Sequence, residues 1–332
     1  MQVQERFTTT LRRLSRLSTG RGFDAYRDVP WDDEDHQLDP TDPRLVLPAV
    51  DPLASTDWYR SLAPGEQARI GLARITTSMT TARQFENLLQ QGLLHRALYL
   101  PTGDPEFRYI HHEIIEEAQH TLMFEELVVR AGASPRGMPR WLRRFTEWLM
   151  PVLARHSPVV FFAMVLGGEE PLDLIQRRTI AEPTVHPLVH QVMRIHIAEE
   201  ARHISYARTA IEVETPKLSR ARRHSVAFFT PLALGIMARL MLRPNHDLAA
   251  AGVPREVLKA VDASDDGRHL LVDGVAKVRR QFIELDLVTA PARWMWRRLG
   301  LWPGCPPRPA GAPVPPPPLR PTAAHPAARL LR

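Results

Sequence analysis

A five-residue motif occurs twice in the chain, and its repetition limits the folds that the sequence can adopt. The motif reads Glu-Glu-Ala-Gln-His at residues 116–120 and Glu-Glu-Ala-Arg-His at residues 199–203. Side chains three residues apart lie on one face of an α-helix, so each motif presents a glutamate and a histidine together. Apolar neighbours such as Ile114 and Ile195 are typical of buried helices rather than of solvated faces. The sequence therefore predicts two core helices, each with a Glu-x-x-His pair.

A lone glutamate precedes each motif by the same distance. Glu86 lies 31 residues before Glu117, and Glu169 lies 31 residues before Glu200. The proline-containing segments PTGDP and EPTVHP lie between the members of the two pairs and predict a turn between two helices in each case. At about 1.5 Å per residue, each chain rises about 20 Å, turns and descends as far. Each hairpin therefore returns its two glutamates to one level.

Two such hairpins, packed together, place four carboxylates and two imidazoles at one point of a helical bundle. Ferritin-like bundles bind two metal ions with this set, in which two helices each give a Glu-x-x-His pair and two others each give one glutamate. Four carboxylates would neutralise two divalent cations in a low-dielectric core. Imidazole and carboxylate ligands without thiolate favour iron, or alternatively manganese, over structural zinc. The six metal ligands predicted in this way are Glu86, Glu117, His120, Glu169, Glu200 and His203.

Four more residues extend the predicted site. His196 lies four residues before Glu200 on the same helical stripe, and we expect it to be a seventh metal ligand. Glu116 and Glu199, each next to a ligand glutamate, are candidates to accept the second ring N–H of a histidine across the bundle. Asp173, one turn beyond the ligand glutamate of its helix, is a weaker candidate for the same outer position.

Two features beside Glu169 allow alternative interpretations. Glu170 competes with Glu169 as a ligand, and the equal spacing selects Glu169. The pair Gly167 and Gly168 either borders a substrate pocket or permits close packing of two helices. No residue stands out as a partner for a substrate carboxylate, since Arg83 and Arg202 are near the site in sequence but are equally compatible with the surface.

The pattern along the rest of the chain is helical. Apolar residues recur every three to four positions, and no period-two strand pattern stands out. Helices are predicted over residues 65–100, 106–130, 139–156, 158–181, 187–215, 217–242, 255–263 and 267–288. We therefore predict an all-α protein, a ferritin-like helical bundle with additional flanking helices. Residues 1–62 form a partly irregular N-terminal lead-in in this prediction, residues 63–302 the bundle domain, and residues 303–332 a disordered proline-rich tail.

Composition argues against several classes of function. The net charge of +6 comes almost entirely from arginine, and no basic run interleaves with aromatic residues, so we expect no nucleic-acid partner. The single cysteine, Cys305, gives neither a disulfide framework nor a thiolate metal site. The apolar stretch VAFFTPLALGIMARLML contains an arginine, which argues against a membrane span of about 20 apolar residues. With no apolar leader visible, we expect a cytoplasmic protein.

Taken together, the predicted ligands resemble those of the non-haem diiron arylamine N-oxygenases, the family typified by the p-aminobenzoate N-oxygenase of aureothin biosynthesis. The additional His196 separates this family from most ferritin-like diiron proteins, and the resemblance covers residues 65–215. It implies two iron ions, O2 as co-substrate, no catalytic residue beyond the metal ligands, and oxidation of an aromatic amine through hydroxylamine and nitroso stages towards a nitro group. It also implies a homodimer, an external electron donor such as a ferredoxin or a reductase, and a role in antibiotic or other secondary-metabolite biosynthesis.

The ligands alone do not distinguish this activity from two others. A related diiron hydroxylase or oxidase could use the same ligands to act at carbon. A ferroxidase or iron-handling ferritin-like protein is the second alternative, although such subunits are typically shorter and lack helices after residue 215. Reaction of the iron-loaded protein with O2 and an arylamine separates these functions, because a ferroxidase would mineralise excess iron and leave the amine unchanged.

Overall fold

The computed structural model describes residues 2–20, 22–243 and 245–304, and these residues contain helices and turns but no β-strand. The predicted all-α, ferritin-like class is therefore confirmed. The α-helices are α1 (Gln2–Gly20), α2 (Asp57–Arg60), α3 (Pro64–Ala97), α4 (Pro105–Arg130), α5 (Arg140–His156), α6 (Pro158–Thr179), α7 (Pro187–Glu214), α8 (Arg220–Leu242), α9 (Asn245–Ala250), α10 (Arg255–Ala263), α11 (Asp265–Gly274), α12 (Ala276–Glu284) and α13 (Ala290–Arg298). Short 3₁₀ turns lie at Glu34–His36, Pro43–Leu45, Pro52–Ser55 and Thr215–Lys217.

Four helices form the centre of the bundle as two hairpins. α3 packs along α4 and α6 packs along α7, and the hairpins meet through contacts of α3 with α6 and of α4 with α7. Local signals fix where each second helix begins. Asp104 accepts a hydrogen bond from the backbone N–H of Glu106 (2.8 Å), and Pro105 fills the first helical position, where no amide donor is needed. α7 also has a proline in its first turn, Pro187, but its N-cap residue His186 makes no side-chain cap hydrogen bond.

Flanking helices cover the central four. α5 packs on α3, α8 packs on α6, and α1 lies across α4 and α7. The segment Arg220–Ala250 is long and apolar enough to cross a membrane by length and composition, but 56% of its most apolar window is buried inside the chain. Core helices can have this length and composition, and α8 packs on α6 as a core helix does. The absence of a membrane span stays a prediction.

Two neighbouring glycines in α6 permit close contact between helices. A Cβ atom on Gly168 would lie 2.4 Å from Cε1 of Phe85 in α3, and one on Gly167 would lie 2.8 Å from Cδ2 of Leu234 in α8. Both distances are far below van der Waals contact. Close packing therefore explains the two glycines, rather than a pocket beside them.

The structure differs from the sequence prediction at both ends of the chain. Residues 2–20 form a helix within the predicted lead-in, and its buried Phe7, Leu11 and Leu14 face the bundle. The helix predicted over 267–288 is divided into α11 and α12, and α9 and α13 are helices that the sequence analysis does not predict.

The division between α11 and α12 has a structural cause. Val275 leaves helical geometry (φ −108°, ψ 11°), and the backbone N–H of Val278 then donates to Oε2 of Glu170 at 3.1 Å. The proline-rich tail from Cys305 onward lies outside the described residues. The predicted domain boundaries at residues 62 and 302 stay predictions.

Candidate metal centre

The central hairpins bring all seven predicted ligands together in the core. α3 and α6 each contribute one glutamate, α4 contributes a glutamate and a histidine, and α7 contributes a glutamate and two histidines. None of the seven side chains is more than 1% exposed. They are Glu86, Glu117, His120, Glu169, His196, Glu200 and His203.

The donor atoms of this cluster fall into three overlapping groups, within each of which the atoms lie within 4.8 Å of one another. The groups are Glu117, His120, Glu200 and His203; Glu86, His120 and His196; and Glu169, His196 and Glu200. Because His120, His196 and Glu200 are each shared, the donors surround adjoining positions rather than a single point. Adjoining positions of this kind fit a two-metal centre.

Most inward-facing donor atoms have no hydrogen-bond partner. Both carboxylate oxygens of Glu117 and of Glu169 lack one, as do single oxygens of Glu86 and Glu200. Buried polar atoms in proteins are nearly always paired, and unpaired buried charge is costly. Cations bound among these oxygens would satisfy them, so the residues fit the diiron centre that the sequence predicts.

Each histidine turns one ring nitrogen towards the carboxylates. His120 Nδ1 lies 3.6 Å from Glu117 Oε2, and His203 Nδ1 lies 3.0 Å from Glu117 Oε1. His196 Nε2 lies 3.5 Å from Glu86 Oε1. These inner nitrogens are the atoms that would coordinate a metal, and the outer nitrogens are free to donate hydrogen bonds.

Two outer nitrogens donate to the glutamates named by the sequence analysis. His120 Nε2 donates to Glu199 Oε2 (3.1 Å), and His203 Nε2 donates to Glu116 Oε2 (2.8 Å). Both bonds cross between α4 and α7. Arg202 links the two acceptors, with Nη2 at 2.8 Å from Glu116 Oε1 and 3.0 Å from Glu199 Oε1. The predicted contacts are present, and Arg202 belongs to the site rather than to the surface.

The third outer nitrogen has a partner that the sequence analysis missed. His196 Nδ1 donates to Oε1 of the fully buried Gln176 at 2.7 Å. Asp173, the weaker candidate for this position, instead accepts from Arg177 Nε at 2.8 and 2.9 Å and does not meet a histidine of the cluster. The helical period offered a signal for Gln176, because it lies two turns after Glu169 on the same face.

Two further buried carboxylates lie near the ligands in sequence. Glu170 forms an ion pair with Arg208 and does not join the cluster, in agreement with the choice of Glu169 by spacing. Glu113 precedes Glu117 by four residues, as His196 precedes its own glutamate in the other hairpin, and it is 1% exposed. Burial raises the pKa of Glu113 to about 8.

The cluster holds more negative charge than its own histidines balance. Burial and then repulsion from Glu117 raise the pKa of Glu86 to about 8, and burial and neighbouring carboxylates raise the pKa of Glu169 well above its usual range. Burial disfavours a charged His120, but the nearby carboxylate of Glu117 and the hydrogen bond to Glu199 outweigh burial and raise its pKa to about 10. These groups hold protons at neutral pH, and divalent cations in the same place would displace them.

Comparison with known proteins supports the resemblance seen in the ligands. The family model described as P-aminobenzoate N-oxygenase AurF matches residues 4–286, well beyond the residues 65–215 that carry the motifs. An uncharacterized protein of Mycobacterium tuberculosis (strain CDC 1551) is 37% identical over 294 residues, which are 88% of this chain and 86% of the relative. Uncharacterized proteins of Mycobacterium bovis and of Mycobacterium tuberculosis strain H37Rv are each 36% identical over the same shares. The chain therefore belongs to the p-aminobenzoate N-oxygenase AurF family, a family of oxygenases.

Proposed function

We propose that the protein is a non-haem diiron monooxygenase that uses O2 to oxidise an aromatic amine at nitrogen. The observation that carries the proposal is the fully buried cluster of four glutamates and three histidines, most of whose inward donor atoms lack hydrogen-bond partners. Its four carboxylate charges balance two divalent cations. Membership of an oxygenase family supports an oxidoreductase with a small-molecule substrate.

When bound, the two iron ions supply the electron transfer that activates O2. The chain's own residues hold the metal ligands in place. Glu116, Glu199 and Gln176 each accept a histidine N–H, which fixes the tautomer and the orientation of the ring. Arg202 forms ion pairs with both outer glutamates and holds them in position. Burial of the cluster excludes bulk water from the reacting groups.

The balance of the reaction requires a reductant. Transfer of one oxygen atom from O2 to an arylamine gives a hydroxylamine, and the second oxygen atom leaves as water after taking up two electrons and two protons. An external donor of the ferredoxin or reductase class is therefore part of the proposal, as is further oxidation through nitroso towards nitro. A homodimer and a role in antibiotic or other secondary-metabolite biosynthesis follow from the family resemblance and are proposed with it. The cytoplasmic location expected from the sequence is also proposed.

Metal analysis and reaction with O2 test this proposal, using wild type and His196→Ala. We expect two irons per wild-type chain after anaerobic loading, and conversion of an added arylamine to its hydroxylamine or nitro product by the reduced protein under O2. The variant should hold less iron and oxidise less amine. One metal or none in the wild type would reject the diiron centre.

The products distinguish the alternatives. Ring or side-chain hydroxylation of the added arylamine would favour oxidation at carbon. Mineralisation of excess iron with the amine unchanged would favour a ferroxidase.

A further inference from the structure

A cavity of about 110 Å³ reaches Gln176, the residue that accepts a hydrogen bond from His196. It lies between α3, α6 and α7, and the segment 44–51 closes one side. Its outer end is bordered by the half-buried Glu182 and the exposed Thr184. The cavity therefore leads from the surface towards the metal centre.

Three buried side chains separate the cavity from the cluster. Gln176 lines the cavity and also accepts the hydrogen bond from His196. Met79 and Met193 line the cavity and belong to the helices that carry Glu86 and His196. Met79 precedes Glu86 by seven residues and Met193 precedes His196 by three, so each lies on the cluster side of its helix. A ligand at this end of the cavity lies one side chain away from the metal ligands.

The inner wall offers a hydrogen-bond donor. His196 engages Oε1 of Gln176, and Nε2 of the same amide has no partner in the described part of the chain. The hydroxyl of Thr179, one turn further along α6, is also buried, lines the cavity and lacks a partner. Uncharged acceptor groups on a ligand would pair with these atoms.

The charged residues of the wall are already neutralised. The buried Arg74 donates through Nε to Asp51 at 2.7 Å, and its other nitrogens donate to Ser78 Oγ and to the backbone oxygen of Leu242. Arg44 forms its ion pair with Asp42 at 2.7 Å. The wall holds two arginines and two acidic residues, so it carries no net positive charge for a ligand anion.

The cavity can hold an aromatic ring only if side chains of its wall move. A cavity of about 150 Å³ holds benzene, so about 110 Å³ is slightly small for a substituted ring. Met79, Met193 and Met241 line the space, and methionine side chains rearrange readily because they are unbranched. Movement of these three side chains would enlarge the cavity.

We propose that this cavity binds the substrate and selects uncharged aromatic amines over arylamine carboxylates such as p-aminobenzoate, the compound in the family's name. This inference rests on the proposed function, because it assigns the substrate class of the same centre. The physical reason is that a carboxylate entering the cavity would lose its hydration and find no unpaired cation. An uncharged amine loses much less hydration free energy when it enters the cavity.

The test compares two ligands of nearly equal size and shape, the uncharged 4-aminobenzamide and the anionic 4-aminobenzoate. Binding is measured by calorimetry on the oxidised, iron-loaded protein without reductant, so that no turnover is needed. We expect 4-aminobenzamide to bind about tenfold or more tightly than 4-aminobenzoate. Ile75→Trp places a bulky ring in the half-buried wall of the cavity and should abolish binding of the amide. Leu94→Trp, at an exposed position of the same helix, should leave binding within about twofold of wild type.

A third variant tests the charge argument directly. Asp51→Asn removes the counter-charge of Arg74, so 4-aminobenzoate should gain about tenfold in affinity while the amide changes by less than about threefold. Circular dichroism and thermal unfolding establish that each variant is folded. If Asp51→Asn does not fold, the wild-type preference and the Ile75→Trp variant still decide the question.

Several results would overturn the inference. Equal or tighter binding of 4-aminobenzoate to wild type, no binding of either ligand, or retained binding in folded Ile75→Trp would each reject it. Different results would reject the proposed function and the cavity. A protein that prefers the amide through this cavity but never oxidises it would refute the function alone, whereas amine oxidation unaffected by Ile75→Trp would refute the cavity alone.

Discussion

Replacing Glu116 or Glu199 by glutamine tests whether the outer hydrogen bonds of the histidines govern metal binding. Each substitution preserves side-chain size but removes the charge that faces an imidazole N–H. Burial opposes ionisation of Glu116, yet the hydrogen bond from His203 and the contact with Arg202 prevail and lower its pKa to about 2. Glu116 is therefore a carboxylate at any pH at which the centre works, and its charge stabilises the ring that it holds.

The expected loss follows from the role of such partners in other metal sites. Removal of the residue that holds a ligand histidine typically weakens metal affinity by about 10- to 100-fold, or about 1.4 to 2.7 kcal/mol. We place Glu116→Gln near the upper end, because its bond to His203 is 2.8 Å and Arg202 also depends on it. Glu199→Gln should lie nearer the lower end, since its bond to His120 is 3.1 Å. Anaerobic competition for Fe²⁺ against a coloured chelator measures both.

Asp173→Asn is the matched control. Asp173 is 2% exposed, and its helix also carries a metal ligand, but its carboxylate pairs with Arg177 instead of a histidine. Its substitution should change Fe²⁺ affinity by less than about threefold. Wild-type affinity in both glutamine variants, or an equal loss in Asp173→Asn, would refute the idea that these hydrogen bonds set the metal affinity.

Three further predictions follow from burial and packing. Loading the metal-free protein with Fe²⁺ at pH 7 should release several protons per chain into weak buffer, measured with an indicator dye, and release of none would contradict the proton-filled cluster. The groups expected to lose protons are Glu86, His120, Glu169 and His203. The pKa of Glu113 is raised from 4.5 to about 8, so the folded chain keeps a proton that the unfolded chain loses, and stability of the metal-free protein should fall as pH rises between these values. Urea unfolding at pH 5 and pH 8 measures this loss of stability, and Glu113→Gln should reduce the difference between the two free energies of unfolding by a few kcal/mol. An unchanged difference would contradict burial of an ionisable Glu113. Gly168→Ala should lower the free energy of unfolding by about 1 to 3 kcal/mol, because the added Cβ atom clashes with Phe85. Gly65→Ala is the control, since its Cβ atom would lie 3.6 Å from its nearest neighbour and should cost no stability. Equal melting temperatures of the two variants would disprove the clash.

The ligand cluster was accessible from the sequence because its signals are local or periodic. The 31-residue spacing and the proline breaks determine the level at which Glu86 meets Glu117, and the helical period places His196 in line with Glu200. Neither inference needs knowledge of how the hairpins are rotated about each other. Glu116 and Glu199 were candidates because each adjoins a predicted ligand glutamate, although their bonds to histidines form only where α4 packs against α7.

Residues whose role depends on how neighbouring helices pack could at most be candidates from the sequence. Gln176 and Asp173 both lie beyond Glu169 on α6, and only the packing of α6 against α7 decides which one meets His196. Arg202 is another such case, because its position between two glutamates exists only after α4 and α7 have packed. The division at Val275 depends on a distant partner, the carboxylate of Glu170.

The two hairpins match in spacing but differ at one position, and that difference lies on the side of the proposed substrate cavity. Four residues before the shared glutamate position, α4 has Glu113, which burial keeps protonated at neutral pH, and α7 has His196, whose pKa burial and His120 lower to about 4. His196 is thus neutral, as a metal ligand must be, and its outer N–H finds an acceptor in Gln176 on the wall of the cavity. The additional ligand and the route to the surface therefore lie on the same side of the cluster. A substrate that enters along α6 and α7 would meet the metal centre where the seventh ligand makes it unlike a symmetric six-ligand site.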